Sequence, residues 1–483
     1  MNKMTFIGVM LLIGIAVCSS NCKKPVEPPV EGGKVYDLGD GSNEYEVKEN
    51  TTLTYPNKYN LKGFVYVKEG VTLTIDAGVI IKGDKATKAT LIIERGAKII
   101  ARGTRELPIA FTSSQPAGSR KAGDWGGIII LGKATNNQGE QTIEGGVRSK
   151  HGGTNDADNS GVLSYVRCEF AGIEYSTDNE INGITFGSVG SGTIVDHVQV
   201  SYSGDDSFEW FGGCVNAKYL VAFRGWDDDF DTDNGFSGKI QFAVSIRDPK
   251  VGDKSASNGF ESDNDANGSS ANPATGAVFA NVSLFGTVYN PATYTNEAGV
   301  NGSSVDARFQ AAAHLRRNTQ QNIFNSLFAG FPIGLIIENG GKGDAQGNAT
   351  NGLLNVNNCV VAGCVKNFQD KQVWAGQSQY DNADGSDVFV KGYFERSGGG
   401  NRTFASLSDL KLSGGSSPLS NLANPAIFLN SDSPLKNGAT WTHPKVASGF
   451  DKVDYIGAFA PTETSSNSWL SGWTNFDPQN TAY

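Results

Sequence analysis

Basic residues are scarce in this 483-residue chain: 40 Lys and Arg against 50 Asp and Glu leave a formal charge of −10. A surface made for nucleic acid or for anionic lipid headgroups is excluded on that ground. Cysteine is scarce too. Of six, Cys18 and Cys22 lie near the N-terminus, and the remaining Cys168, Cys214, Cys359 and Cys364 are too few to staple a body of this size. Alternation in Val166-Arg-Cys-Glu-Phe170 puts Cys168 on an apolar face, as a buried thiol. The four histidines, His151, His197, His314 and His443, have no metal-ligand spacing, which argues against zinc. No Gly-x-Ser-x-Gly elbow, phosphate loop or dinucleotide fingerprint occurs, so no nucleotide or redox cofactor is expected. No stretch sustains a helical period, which excludes helical repeats.

Glycine, by contrast, is abundant at 61 residues, and 38% hydrophobic content is too high for a disordered chain. Lys3 and the apolar run Phe6 to Val17 have the form of a secretory leader, and the run is too short to span a membrane. The cysteines that follow resemble a bacterial lipobox, with Cys22 the favoured acceptor for lipid and Cys18 the alternative. Residues 1–22 are therefore expected to be a signal peptide, and 23–44, with prolines between Pro25 and Pro29, a tether. This predicts a membrane contact through lipid and an outer-membrane location, with the face undecided.

The body repeats. Gly70-Val-Thr-Leu-Thr-Ile-Asp-Ala-Gly78 and Leu91-Ile-Ile-Glu-Arg-Gly96 are short strands meeting at glycine corners. One strand type recurs at Val166, Val198, Leu220, Phe242, Val282, Ser326 and Cys359, and both 220 − 198 and 242 − 220 equal 22 residues. Such a period, with three short strands per turn, is that of a parallel β-helix, whereas a propeller blade needs about 40 residues. Residues 45–365 are assigned to the β-helix, with loops inserted at corners. Residues 366–483 are read as an irregular region whose aromatic end, Trp469 to Phe476, caps the open end of the coil.

Several segments carry a resemblance: Asp124-Trp-Gly-Gly127, the run Asp196 to Gly213, Asp228-Asp-Phe-Asp-Thr-Asp233, Asn258-Gly-Phe-Glu-Ser-Asp-Asn-Asp265 and Gly472-Trp-Thr-Asn-Phe-Asp477. From about residue 60 onward the chain resembles the β-helix lipoproteins of Bacteroidota. The resemblance implies a right-handed coil, an envelope location and, by analogy, an outer-membrane transport partner; it implies no activity.

The 22-residue period also stacks acidic residues, since 231 − 209 = 22. An apolar residue followed by a charged one, repeated at Phe260-Glu261, Leu315-Arg316 and Ile337-Glu338, extends the outward column to Glu209, Asp231, Glu261, Arg316 and Glu338 if loops enter at corners, with Phe211, Asp233, Asp263 and Asn318 two residues on, and Ser207, Asp229 and His314 two residues before. Like charges on coils about 4.8 Å apart repel by about 3 to 4 kcal/mol at an effective dielectric of 20, so the column needs compensation. A raised pKa on alternate carboxylates, the Arg316 guanidinium or a hard cation held by oxygen ligands would each supply it; calcium is the expected ion, with Asp229, Asp231, Asp233, Glu261, Asp263 and Asp265 as ligands, and a solvated acidic face is the alternative. Asp263-Asn-Asp-Ala-Asn-Gly268 matches the opening of a calcium loop but lacks the closing glutamate of an EF-hand.

Three functions remain open at this level. Glu209, Trp210, Trp226, His314 and Arg316 could bind a polysaccharide or small nutrient, with Phe211 and Tyr289 as further stacking rings; core packing is the alternative for each aromatic. Gly204-Asp205-Asp206 is similar to one element of polygalacturonases, so Asp205, Asp206 and Asp229 could serve a hydrolase, or Arg316 a lyase as base. The other polygalacturonase elements are absent. An adhesive or structural role is the third. Carbohydrate or nutrient capture is the leading expectation.

Overall fold

A computed structural model describes residues 32–177, 179–248, 250–253, 255–286, 308–340, 342–371 and 387–483. The segment read as a leader, Cys18, Cys22 and Tyr289 lie outside the described residues. The strands wind into a right-handed parallel β-helix with few, short helices. No helix among the described residues is long and apolar enough to cross a membrane.

One long sheet runs from Tyr45–Val47 through Phe208–Gly213, Phe230–Asp233, Phe260–Ser262 and Ala311–Leu315 to Lys366–Gln369. All of its pairings are parallel. The second sheet begins as two separate stacks of three- to five-residue strands. Gly161–Glu169 joins them, its first half pairing with Lys98–Arg102 and its second half with Ile109–Ser113. Strands Ile194–Ser201, Asn216–Phe223, Lys239–Ile246 and Val278–Phe285 continue this bent pattern. The outermost strands, Val35–Leu38 and Arg402–Phe404, extend the coil into the stretch read as tether and well beyond residue 365.

The bend sits on a residue with positive φ in every coil: Tyr165, His197, Tyr219, Phe242, Asn281, Asn325 and Asn358, all between 51° and 61°. Left-handed backbone is costly for a non-glycine residue, least so for asparagine. Stacking offsets the cost for the rings, with centroids 4.3 Å apart for Tyr165 and His197, 4.4 Å for His197 and Tyr219, and 5.2 Å for Tyr219 and Phe242.

Inside the coil, alternate residues stack into one core. Phe208 and Phe230 lie 5.8 Å apart, and Trp210 stacks on Phe186 at 5.6 Å and on Phe236 at 5.3 Å. Cys168, Cys359 and Cys364 are buried free thiols, as the alternation around Cys168 requires, and burial raises the pKa of each.

The aromatic C-terminus is a strap along the side of the coil rather than a cap at its end. From Thr440 it runs back across the bent sheet toward the N-terminal coils. The Asn325 side chain accepts from Thr440 N–H at 3.0 Å and donates to its carbonyl at 3.1 Å. Gln241 does the same for Asp451, at 2.8 and 2.7 Å, and Gln199 for Asn475, at 2.8 Å both ways. Arg120 then donates to the carbonyls of Pro478 and Thr481, and Lys82 to that of Tyr483. Trp469 and Trp473 bury their rings over this sheet beside Tyr219 and Tyr165. The apolar outer face formed by Val221, Phe223, Val244, Ile246 and Phe285 is thereby covered by the chain itself.

Candidate functional site

On the outer face of the other sheet the register gives the column Thr185, Glu209, Asp231, Glu261, His314, Ile336. The first three acidic rungs are those expected. Arg316 and Glu338 are not in this column: Ser262 pairs with Leu315, so His314 stands beside Glu261, and Arg316 follows Asp263 in the column two residues on. His314-Leu-Arg316 offers two polar residues two apart, so sequence alone could not choose between the registers.

Four of the expected site residues are engaged in holding the structure. Trp210 is wholly buried in the core and cannot meet a ligand. Asp229 points inward, forming a fully buried pair with Arg247 at 3.1 Å and accepting a bond from Ser245, so neither a catalytic nor a metal role is open to it. Asp265 closes its own loop, accepting from the N–H groups of Asn267 and Ser269 at 2.8 and 3.2 Å and from the Ser269 hydroxyl. His314 is buried between Glu338, 3.1 Å from Nε2, and Glu261, 3.8 Å from Nδ1; burial lowers its pKa, and no ligand reaches it.

Arg316 lies 2.5 Å from Glu261 and 3.0 Å from Asp263, and Arg317 adds a contact to Asp263 at 2.7 Å. Burial favours a neutral guanidinium, but Glu261 and Asp263 outweigh it and raise the Arg316 pKa above the ordinary arginine value. Arg316 is therefore a charge clamp and not a base. The clamp also commits Glu261 and Asp263, leaving Asp233, which is half-buried, caps Asn234 N–H and is raised to about 8 by burial and by Asp263. Of the six expected calcium ligands, Asp231 alone lies in a grouping able to hold an ion.

The coil corners bring the rest together. Asp228 N–H donates to Asp206 at 2.8 Å and Asn258 N–H to Asp228 at 2.5 Å, a ladder of carboxylates bonded to the next coil's backbone. Two overlapping carboxylate groups result, Asp205 with Asp206 and Asp227, and Asp206 with Glu209 and Asp231, each with oxygens within 4.8 Å of one another. Asp227 and Asp228 were missed as site residues, although the 22-residue period that pairs Glu209 with Asp231 also pairs them with Asp205 and Asp206. Glu144 and Glu180 reach the same region from a distant segment and carry no periodic signal.

Burial, then mutual repulsion, raises Asp205, Asp206, Glu209, Asp228 and Asp231 well above the usual carboxylate range; Asp227 is pushed up to about 7 by burial and Asp253. Asp227 Oδ1, Asp231 Oδ1 and Asn182 Oδ1 are shielded from solvent without a donor. All three are hard oxygen acceptors, and with the two carboxylate groups they suit calcium. Beside them opens a cleft of about 420 Å³ between Gly123, Gly172, Glu174, Glu180, Gly204, Trp226 and Asp253. Trp226 is 43% exposed there, the opposite of Trp210.

A family model described as a pectate-lyase-like β-helix domain matches residues 45–404. The chain belongs to that family. Among curated proteins and among solved structures, none is significantly similar to it. Membership fits the parallel coil and specifies neither ligand nor reaction.

Proposed function

We propose that this protein captures carbohydrate in the cleft beside Trp226, over a carboxylate floor loaded with calcium. The observation that carries the reading is the pair of overlapping carboxylate groups, with their orphaned acceptors, next to an exposed indole. Asp206, Glu209 and Asp231 would hold one ion, and Asp205 with Asp227 would extend the floor toward the cleft. A bound cation would supply charge neutralisation and a polarising centre for sugar hydroxyls. Trp226 offers the flat apolar face on which a sugar ring stacks.

The anchor belongs to the same proposal: the leader and Cys22, with Cys18 as alternative, would hold the coil by lipid at the outer membrane, next to a transport partner. Palmitate labelling that disappears when both cysteines become serine is the expected result, and equal labelling of that variant would remove the anchor.

A glycan array with calcium and with chelator tests the binding reading. Retention with calcium, weakened by chelator and by Trp226→Ala, is expected; retention indifferent to both would overturn it. A second reading, hydrolysis, is favoured by family membership and by Asp227, which at about 7 is partly protonated at neutral pH and so able to donate a proton. Reducing ends that accumulate with wild type and vanish with Asp227→Asn would establish it in place of simple capture. A lyase using Arg316 as base has no support, because that guanidinium is clamped and charged.

A further inference from the structure

One corner position repeats through four coils and behaves differently in the first. Asn182, Asp206, Asp228 and Asn258 each stand two residues ahead of the paired Ile184, Phe208, Phe230 and Phe260. In the later three the side-chain oxygen accepts a backbone N–H of the next coil: Asp206 from Asp228 at 2.8 Å, Asp228 from Asn258 at 2.5 Å, and Asn258 from Ala311 at 3.2 Å. Asn182 breaks this ladder. Its Oδ1 has no donor although the residue is 1% exposed, and its Nδ2 donates to Glu209 and, at 3.2 Å, to Glu144. Gly183 N–H bonds the Asp206 carbonyl at 2.8 Å, so the amide is held beside the group formed by Asp206, Glu209 and Asp231.

A primary amide has a donor end and an acceptor end of nearly equal shape, exchanged by half a turn about its last torsion. Without an ion, the donor end facing Glu209 stabilises that carboxylate. With an ion on Glu209 the same N–H end would be repelled, whereas the oxygen end is a ligand that calcium accepts. We propose that Asn182 is a two-position switch of the ion site: its amide donates to Glu209 and Glu144 without an ion, and turns to place Oδ1 on the ion when Asp206, Glu209 and Asp231 hold one. The inference rests on the calcium floor proposed above and adds to it a further ligand and the way that ligand is gated. Two hydrogen bonds are given up in the turn, and a bond to a divalent cation replaces them. The neutral side chain suits both positions. A carboxylate here would bind the ion more tightly, since calcium affinity follows ligand charge, but without the ion it would set one more negative charge against Glu209 and Glu144.

The test is calorimetric titration of calcium, together with melting curves, on metal-stripped wild type, Asn182→Asp and Asn182→Leu at pH 8. An asparagine with a purely structural role would lose stability in both variants and gain affinity in neither. The switch predicts opposite signs. Asn182→Asp keeps the oxygen and loses the donor, so it should melt below wild type without calcium, bind calcium at least about tenfold more tightly, and recover most of the difference in melting temperature at saturation. Asn182→Leu, similar in size, keeps neither end and should bind calcium at least about tenfold more weakly. Should Asn182→Leu fail to fold, Asn182→Asp decides alone. Asn182→Asp as stable as wild type without calcium, Asn182→Asp binding calcium no more tightly, or a folded Asn182→Leu binding it as well as wild type would each overturn the switch. If wild type binds calcium in a manner abolished by Asp206→Asn/Asp231→Asn while both Asn182 variants titrate like wild type, the switch falls and the ion site stands; if wild type takes up no calcium, both fall.

Discussion

The two long flanks of the coil are alike on the inside and opposite on the outside. Both send alternate apolar residues into one core, yet the bent sheet turns an apolar outer face to Trp469, Trp473 and the C-terminal strap, whereas the other sheet, whose earlier strands are covered by Ile143, Val147, Ile173 and Ile181, turns the largely shielded carboxylates of Glu209, Asp231 and Glu261 outward beyond them. On the bent flank Gln199, Gln241 and Asn325 each exchange two hydrogen bonds with one strap residue, although Arg167 Nε, Arg402 Nη2, Ser468 Oγ and Gln479 Oε1 stay without hydrogen-bond partners. On the acidic flank the orphaned atoms Asp227 Oδ1, Asp231 Oδ1 and Asn182 Oδ1 are all acceptors and lie with the carboxylate groups.

The comparison predicts its largest effect on the covered side. Trp473→Ala removes a ring that is 1% exposed and should cost about 3–5 kcal/mol in chemical denaturation. Trp226→Ala, on the acidic side, should stay within about 0.5 kcal/mol while weakening glycan retention. Equal losses at the two positions would break the distinction. Of similar size is the buried Asp229–Arg247 pair: Arg247→Met should cost about 3–5 kcal/mol by stranding the carboxylate, and Asp229→Leu added to it should recover much of the loss.

A smaller effect concerns pH. Asp227, Asp233 and Glu261 have folded-state pKa values raised to about 7, 8 and 8, by burial first in each case. Below about pH 4 these groups are protonated folded or unfolded and stability does not depend on them. Between about pH 4 and 8 the unfolded chain has released its protons while the folded chain retains them, so stability of the calcium-free protein falls as pH rises. The melting temperature without calcium should therefore drop from pH 5 to pH 8. Calcium, which binds the ionised carboxylates, should flatten that slope, and a slope indifferent to calcium would place the ion elsewhere.

How much of this was legible in the sequence follows from the same contrast. The coil, its 22-residue spacing and the rungs Glu209 and Asp231 could be read because side-chain direction alternates strictly along a strand and the period is unbroken there, and Glu261, 30 residues after Asp231, by its place after Phe260 in the repeated apolar-then-charged pattern. The reading slipped at Arg316, where residues inserted between Glu261 and His314 hide the register. It also slipped at Asp229 and Trp210, because strand alternation does not extend through a corner and a tryptophan suits a core as well as a sugar. The strap could not be read at all as a strap. Its contacts join Gln199 to Asn475 and Lys82 to Tyr483, pairs far apart in a segment without periodicity, so composition suggested a cap at the end of the coil.

The central claim, that the acidic flank is a cation-loaded binding face, is tested most directly by calorimetric titration of calcium into metal-stripped protein at neutral pH. Saturable binding is predicted, accompanied by a rise in melting temperature of several degrees and lost in Asp206→Asn/Asp231→Asn, since an ion that binds only the folded state stabilises it by a few kcal/mol at saturation. The absence of both heat and thermal shift in the wild-type protein, or binding that persists undiminished in that double variant, would contradict the account.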